Sequence, residues 1–232
     1  MHVFYTDPFT FPLPPENRFP VDKYRLLRER IESWPATTGV ELLLAPRARS
    51  DELRLVHTAA YIEQFAAGTL GEEAMRRIGF PWSPQLVERS LRSCGGTIAA
   101  ARVAIQFGHA CYLAGGTHHA RADRGAGYCV YNDCAVAARV LQRETSVARV
   151  LIVDTDVHQG DGSAAIFADD PSVLTSQPSS SIAATAISPV GDHPIAVSGA
   201  EADNYEITHV NGNLTIRPAP LTVTADNKEI VE

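Results

Sequence analysis

Apolar residues recur at helical spacing at Tyr24, Leu27, Ile31 and Trp34, behind Asp22 as a capping residue and ahead of Pro35 as a stop. Glu41 to Leu44 reads as a short strand and His57 to Ala67 as a second helix. Ser83-Pro84 is a cap and first-turn pair that opens a long helix through Gln106. Gly95-Gly96 interrupts that pattern, so the pair either permits close packing or marks a break, and the Ala-rich stretch Ile98 to Ile105 suits a tightly buried helix. His109 to Leu113 comes next as a core strand, Ala114 to Ala120 as a loop, Asn132 to Glu144 as a helix and Val150 to Val153 as a buried strand. Strand, loop, helix and strand in that order imply parallel pairing, with ligands collecting beyond the carboxyl ends of the strands.

The pattern changes after Thr175. Ser176 to Ser181 is linker-like, and the chain beyond Ser181 alternates as β structure, notably Tyr205 to Val210 and Asn213 to Ile216 around a hairpin signal at Asn211-Gly212. The expected organisation is a first domain over 1–175, a junction over 176–194 and a β-rich segment over 195–232.

Polar chemistry concentrates at two of the predicted strand ends. Asp154, Asp156, His158 and Asp161 come after the Val150 strand, and on an extended chain Asp154, Asp156 and His158 share one face. Three carboxylates beside a buried strand require a compensating cation or hydrogen-bond network. Two oxygens and one nitrogen suit zinc or a similar borderline ion, although an Asp-x-His pair supplies only two good ligands. The second cluster is His118-His119, which Gly115-Gly116 gives the backbone freedom to aim. Both clusters are expected in one pocket, with His118 and His119 as base and acid, Asp154 and Asp161 orienting the rings, and metal-assisted hydrolysis as the reaction. His57 reads as structural, Asp133 as a helix cap, and Tyr128 as core aromatic or pocket wall.

A chain of 232 residues with 45% hydrophobic content can bury a real core, and its net charge of -7 leaves no basic patch for phosphates, which speaks against a nucleic-acid partner. No basic leader precedes an apolar stretch, and no run approaches the roughly 18 apolar residues that span a bilayer, so neither secretion nor a membrane partner is expected. Cys94, Cys111, Cys129 and Cys134 form no Cys-x-x-Cys pair, which suits reduced thiols and a cytoplasmic location.

Arg18-Phe-Pro with Lys23-Tyr24, Gly116-Thr-His-His-Ala120, Gly127-Tyr-Cys-Val-Tyr-Asn-Asp133 and Asp154-Thr-Asp-Val-His-Gln-Gly-Asp-Gly162 together resemble the histone deacetylase superfamily. Arg77-Ile-Gly-Phe-Pro-Trp-Ser83 resembles its class IV-like and bacterial branch. The resemblance covers about residues 3–175. It implies an α/β fold, the arginase-deacetylase-like three-layer sandwich with a parallel sheet, here incomplete, joined to a short β-rich segment. It also implies zinc-dependent amide hydrolysis of an acylated lysine or acylated polyamine. Asp156 and His158 would be zinc ligands, His118 and His119 the catalytic pair with Asp154 and Asp161 behind them, and Gly127 and Tyr128 the tunnel lining. Asp154 would also match a structural potassium site.

The motifs that carry the family's third zinc ligand and its transition-state tyrosine are absent after Thr175, and Asp192-His193 and Tyr205 are the nearest substitutes. Residues 200–216 and 218–226 resemble a β-rich repeat of bacterial surface adhesins. Two function classes therefore stay open: a deacetylase-type hydrolase, and a non-catalytic fragment or binding module. A metallophosphoesterase ranks behind both, since its later Gly-Asn-His motif is missing.

Overall fold

β1 (His2–Tyr5) organises the first sheet: it pairs in parallel with β2 (Glu41–Leu44) on one side and β3 (Cys111–Tyr112) on the other, and buries Val3 and Phe4. The computed structural model describes residues 1–176, 179–182, 188–198 and 211–218. The chain divides into two compact units, Met1–Gln177 and Pro178–Glu232.

Three helices of the first unit start where a side chain satisfies one of their orphan N–H groups. α1 spans Lys23–Glu32, α2 Ser50–Leu53, α3 Ala59–Ala67 and α4 Glu72–Ile78. Thr58 accepts from Tyr61 N at the head of α3, and Ser83 accepts from Leu86 N to open the 24-residue α5 (Pro84–Phe107), with Pro84 in its first turn. Asn132, not Asp133, caps α6 (Asp133–Glu144) by accepting from Ala135 N. β4 (Val150–Val153), α7 (Asp161–Ile166) and β5 (Val173–Ser176) complete the unit, with β4 and β5 parallel. The architecture is thus mixed α/β with parallel pairing in both sheets of this unit.

Phe65, Leu53, Ile78, Leu86, Ile98, Val136 and Val140 form the main core, and a smaller cluster packs Ala135, Ala138, Phe167 and Val173 against Val150 and Ile152. At about 25 cal/mol per Å² of apolar surface removed from water, these clusters supply the main stabilising term. Gly95 and Gly96 mark close packing rather than a break: a Cβ on Gly95 would lie 2.1 Å from the Pro46 carbonyl oxygen, and one on Gly96 would lie 2.5 Å from the Tyr112 ring.

Three expectations change, and β1, which the hydrophobic pattern does not set apart, is an addition to them. On α1 only Ile31 is buried, while Leu27 and Trp34 are exposed, because no described element covers that face. The Ala-rich end of α5 is half-buried, and Ile105 and Phe107 are open to solvent. β4 is buried on one face only: Val150 and Ile152 meet α6, whereas Leu151 and Val153 are 38% and 56% exposed, since β4 pairs with β5 alone among the described strands.

The second unit contains an antiparallel sheet in which β7 (Gly191–Ser198) lies between β6 (Ser179–Ile182) and β8 (Gly212–Ile216). β6 begins within the stretch read as linker-like, and β7 crosses the expected boundary after residue 194. The strand expected over Tyr205–Val210, and Tyr205 itself, lie outside the described residues.

Candidate active site

β4 ends at Val153, and the next seven residues turn instead of staying extended. Asp154 Oδ1 accepts from Asp156 N at 3.0 Å, and Asp156 Oδ1 accepts from His158 N at 2.7 Å, so each acid folds the chain onto its own side chain. The three residues therefore reach one region through turns, not through strand alternation, and Val157 is left 91% exposed.

The His118-His119 loop is built from the other side of the site. Gly115 and Gly116 both take positive φ, 112° and 70°, a conformation costly for a side-chain-bearing residue. Buried Asp133 fixes this loop: it accepts from Gly116 N at 3.1 Å, Thr117 N at 2.8 Å, and the Thr117 and Thr97 hydroxyls at 2.5 Å each. Sequence reasoning gave Asp133 only a capping role. The available signal was an acid directly behind an asparagine cap, but the donors it serves come from Gly116 and Thr117 in the loop and from Thr97 on α5, all remote from it in the chain.

These two segments bring the candidate residues together. His118 Nδ1 bonds Asp154 Oδ2 at 2.5 Å, His119 Nδ1 bonds Asp161 Oδ1 at 2.8 Å, and the two imidazole centroids stand 4.2 Å apart. The His158 ring lies 6.1 Å from that of His119. The carboxylates thus meet cationic or hydrogen-bonding partners: His118 for Asp154, His158 for Asp156, and His119 with Arg121 for Asp161. Bonds from the His158 backbone and ring lower the Asp156 carboxyl pKa. Burial would raise that of Asp161, but the His119 and Arg121 bonds outweigh it and hold it below the usual carboxylate range.

The two expected metal donors bond each other. His158 Nδ1 donates to Asp156 Oδ1 at 2.8 Å, and both side chains are exposed. Among the described residues, no group of three or more His, Cys, Asp or Glu side chains is arranged to hold a metal ion. A catalytic zinc takes three protein ligands and leaves a fourth position for water. The described donors do not fit that requirement. Both Asp154 oxygens are engaged, by His118 and by Asp156 N.

Gly127 borders His119, and Tyr128 follows it in the chain. A Cβ on Gly127 would stand 2.6 Å from His119 Cδ2, so only glycine lets this turn lie against the ring. Tyr128 adopts φ 65°, a strained value for a non-glycine residue, held by its N–H to Ile78 O at 2.7 Å. Its ring packs on Phe19 and Phe80 and lines a cavity of about 50 Å³ that Thr117 and Gly115 also border. His57 is buried, with Nδ1 donating to Arg121 O and Nε2 accepting from Asn132 N, both at 3.0 Å. All four cysteines are free thiols, and burial pushes Cys129 up to about 12, so it is no nucleophile at neutral pH.

A parallel α/β unit that sets paired imidazoles on separate carboxylates beyond its strand ends matches the histone deacetylase domain over residues 18–181, and the chain belongs to that family. A second match, to the MBG domain (YGX type), covers residues 159–215 and overlaps the first. The chain is 44% identical over 173 residues to an uncharacterized protein of Picosynechococcus sp., a stretch covering 75% of this chain and 58% of that protein. It is 40% identical to the acetoin utilization protein AcuC of Bacillus subtilis, and 35% identical to that of Staphylococcus aureus strain MSSA476. Those matches span 57% and 58% of this chain, and 37% of each relative.

Proposed function

We propose that this chain carries the proton-handling part of a deacetylase site, acting on the amide of an acylated lysine or an acylated polyamine. The observation that carries the reading is the pair of adjacent imidazoles, each with Nδ1 on its own carboxylate. With Nδ1–H donated to Asp161, His119 keeps Nε2 unprotonated; it takes a proton from the attacking water and delivers it to the amine nitrogen as the C–N bond breaks. His118, on Asp154, stabilises the charge that develops beside it. Gly127 and Tyr128 line the approach of the acyl chain.

Zinc would be the electrophile in such a site, with Asp156 and His158 as its donors, and potassium would sit at Asp154. Two zinc donors fall short of three, so the chemistry assigned to this chain is that of its side chains. The same reading gives a deacetylase domain over 1–175, a junction over 176–194, an adhesin-like β segment over 195–232 and a cytoplasmic location. Among the described residues no helix is long and apolar enough to cross a membrane.

The test is metal content together with turnover of an acetyl-lysine peptide and an N-acetylpolyamine by the purified protein. Stoichiometric zinc with turnover abolished by His119→Ala supports the reading. Substoichiometric zinc with no turnover overturns activity and favours a second reading, a non-catalytic product, which the mutual bonding of Asp156 and His158 already supports. Limited proteolysis then separates an inactive fragment, whose resistant core ends near Thr175, from a module with a folded tail.

A further inference from the structure

Each carboxylate behind the twin histidines uses one oxygen on the imidazole and has the other held. For Asp154 the second oxygen accepts a backbone N–H, that of Asp156. For Asp161 it accepts from a side chain, Arg121 Nη2 to Oδ2 at 2.9 Å. Arg121 is itself placed by its main chain: its N–H donates to Arg124 O at 2.8 Å and its carbonyl accepts from the buried His57 ring. Without the guanidinium, the Asp161 side chain has freedom to turn about χ1 and χ2, since it is 41% exposed although the residues after it, Gly162 and Ser163, are buried.

We propose that Arg121 is the positioning residue of the His119–Asp161 pair, holding Oδ2 so that Oδ1 faces His119 Nδ1 and the ring stays in its Nδ1–H tautomer. This deepens the deacetylase reading, on which the use of Nε2 as a base depends. The Arg121–Asp161 pair is more than one third exposed on both sides and adds little to stability. Its effect is therefore expected in ring orientation, not in folding.

Nitrogen-15 NMR of the histidine-labelled full chain reads the tautomer directly, with the His119 signal assigned by its loss in His119→Gln. No substrate or metal is present, so the result is independent of whether the protein hydrolyses anything. The Nδ1–H signature is expected in the native protein, lost in Arg121→Met, and regained in part in Arg121→Lys, which restores the charge. Arg124→Met serves as the control, because the Arg124 side chain bonds Asp123 on the same turn and should leave the signal in place. Retention of the signature in Arg121→Met overturns the proposal. So does failure of that variant to fold, which would make the guanidinium structural, and so does a signal in Arg121→Lys no better than in Arg121→Met.

Discussion

Gly162 lies directly under the backbone of His118: a Cβ placed on it would stand 2.4 Å from the His118 carbonyl oxygen and 2.5 Å from that of Ala120. The same carbonyl of His118 accepts from Ser163 N at 3.0 Å, so the first turn of α7 is pressed against the histidine loop. This contact sets where Asp161 can reach His119.

Gly162→Ala tests that contact. Alanine favours a helix by about 1 kcal/mol over glycine, but the obstructing atoms are main-chain oxygens that cannot swing away. The clash is expected to win, with a net loss of about 1–3 kcal/mol in urea unfolding. A variant as stable as the native chain would show that α7 and the histidine loop are not packed this closely.

Asp133 is the second support of the loop. Asp133→Ala takes the acceptor from two backbone N–H groups and two hydroxyls. A buried donor left unpaired costs about 1–3 kcal/mol, but Gly116 is exposed and Thr117 half-buried, and the hydroxyls can rotate to other partners, so a total of about 1–3 kcal/mol is expected. Asp133→Asn, which keeps one carbonyl oxygen, should lose less. Equal losses in the two variants would show that one carbonyl oxygen at this position is worth nothing and that the full carboxylate, with both oxygens, is what Asp133 supplies.

The site residues were more legible in the sequence than the contacts that hold them. His118, His119, Asp154 and Asp161 stand out because ionisable groups next to apolar runs are expensive without partners. Asp133, Arg121 and Gly162 do not, because their roles exist only once three separate segments fold against each other. The pattern puts the cap of α6 one residue late, at Asp133 instead of Asn132, whereas a cap such as Ser83 is local and could be read directly. β1 and the half-exposed β4 could not, since their burial depends on neighbours remote in the chain: Val150 to Val153 is apolar throughout, yet only alternate residues are covered.

His57 makes folding pH-dependent. Burial lowers its pKa from 6.5 to about 4, and its Nε2 must stay unprotonated to accept from Asn132 N. The folded state therefore binds the proton less readily than the unfolded chain. The contribution is fully present above pH 6.5 and is lost as pH falls toward 4, with a slope of about 1.4 kcal/mol per pH unit and a total near 3 kcal/mol. Urea midpoints between pH 7 and pH 4 check this, and His57→Gln should flatten the slope. A slope unchanged in that variant would assign the acid sensitivity to other groups.

The open face of β4 predicts self-association. Leu151 and Val153 are exposed on a strand whose second edge has no partner among the described strands, and Val157 stands almost fully in solvent beyond it. Apolar side chains on an unpaired parallel edge form a template for another chain. Sedimentation velocity should show association that grows with protein concentration and persists at high salt, because apolar contact is not screened as charge is. Val153→Lys puts a charge on the edge and should shift the protein toward monomer, whereas Val150→Ala, on the covered face, should lower stability by about 1 kcal/mol or more through the cavity it leaves without that shift. Monomeric native protein at every concentration, or association untouched by Val153→Lys, would show that this edge is not the surface through which copies meet.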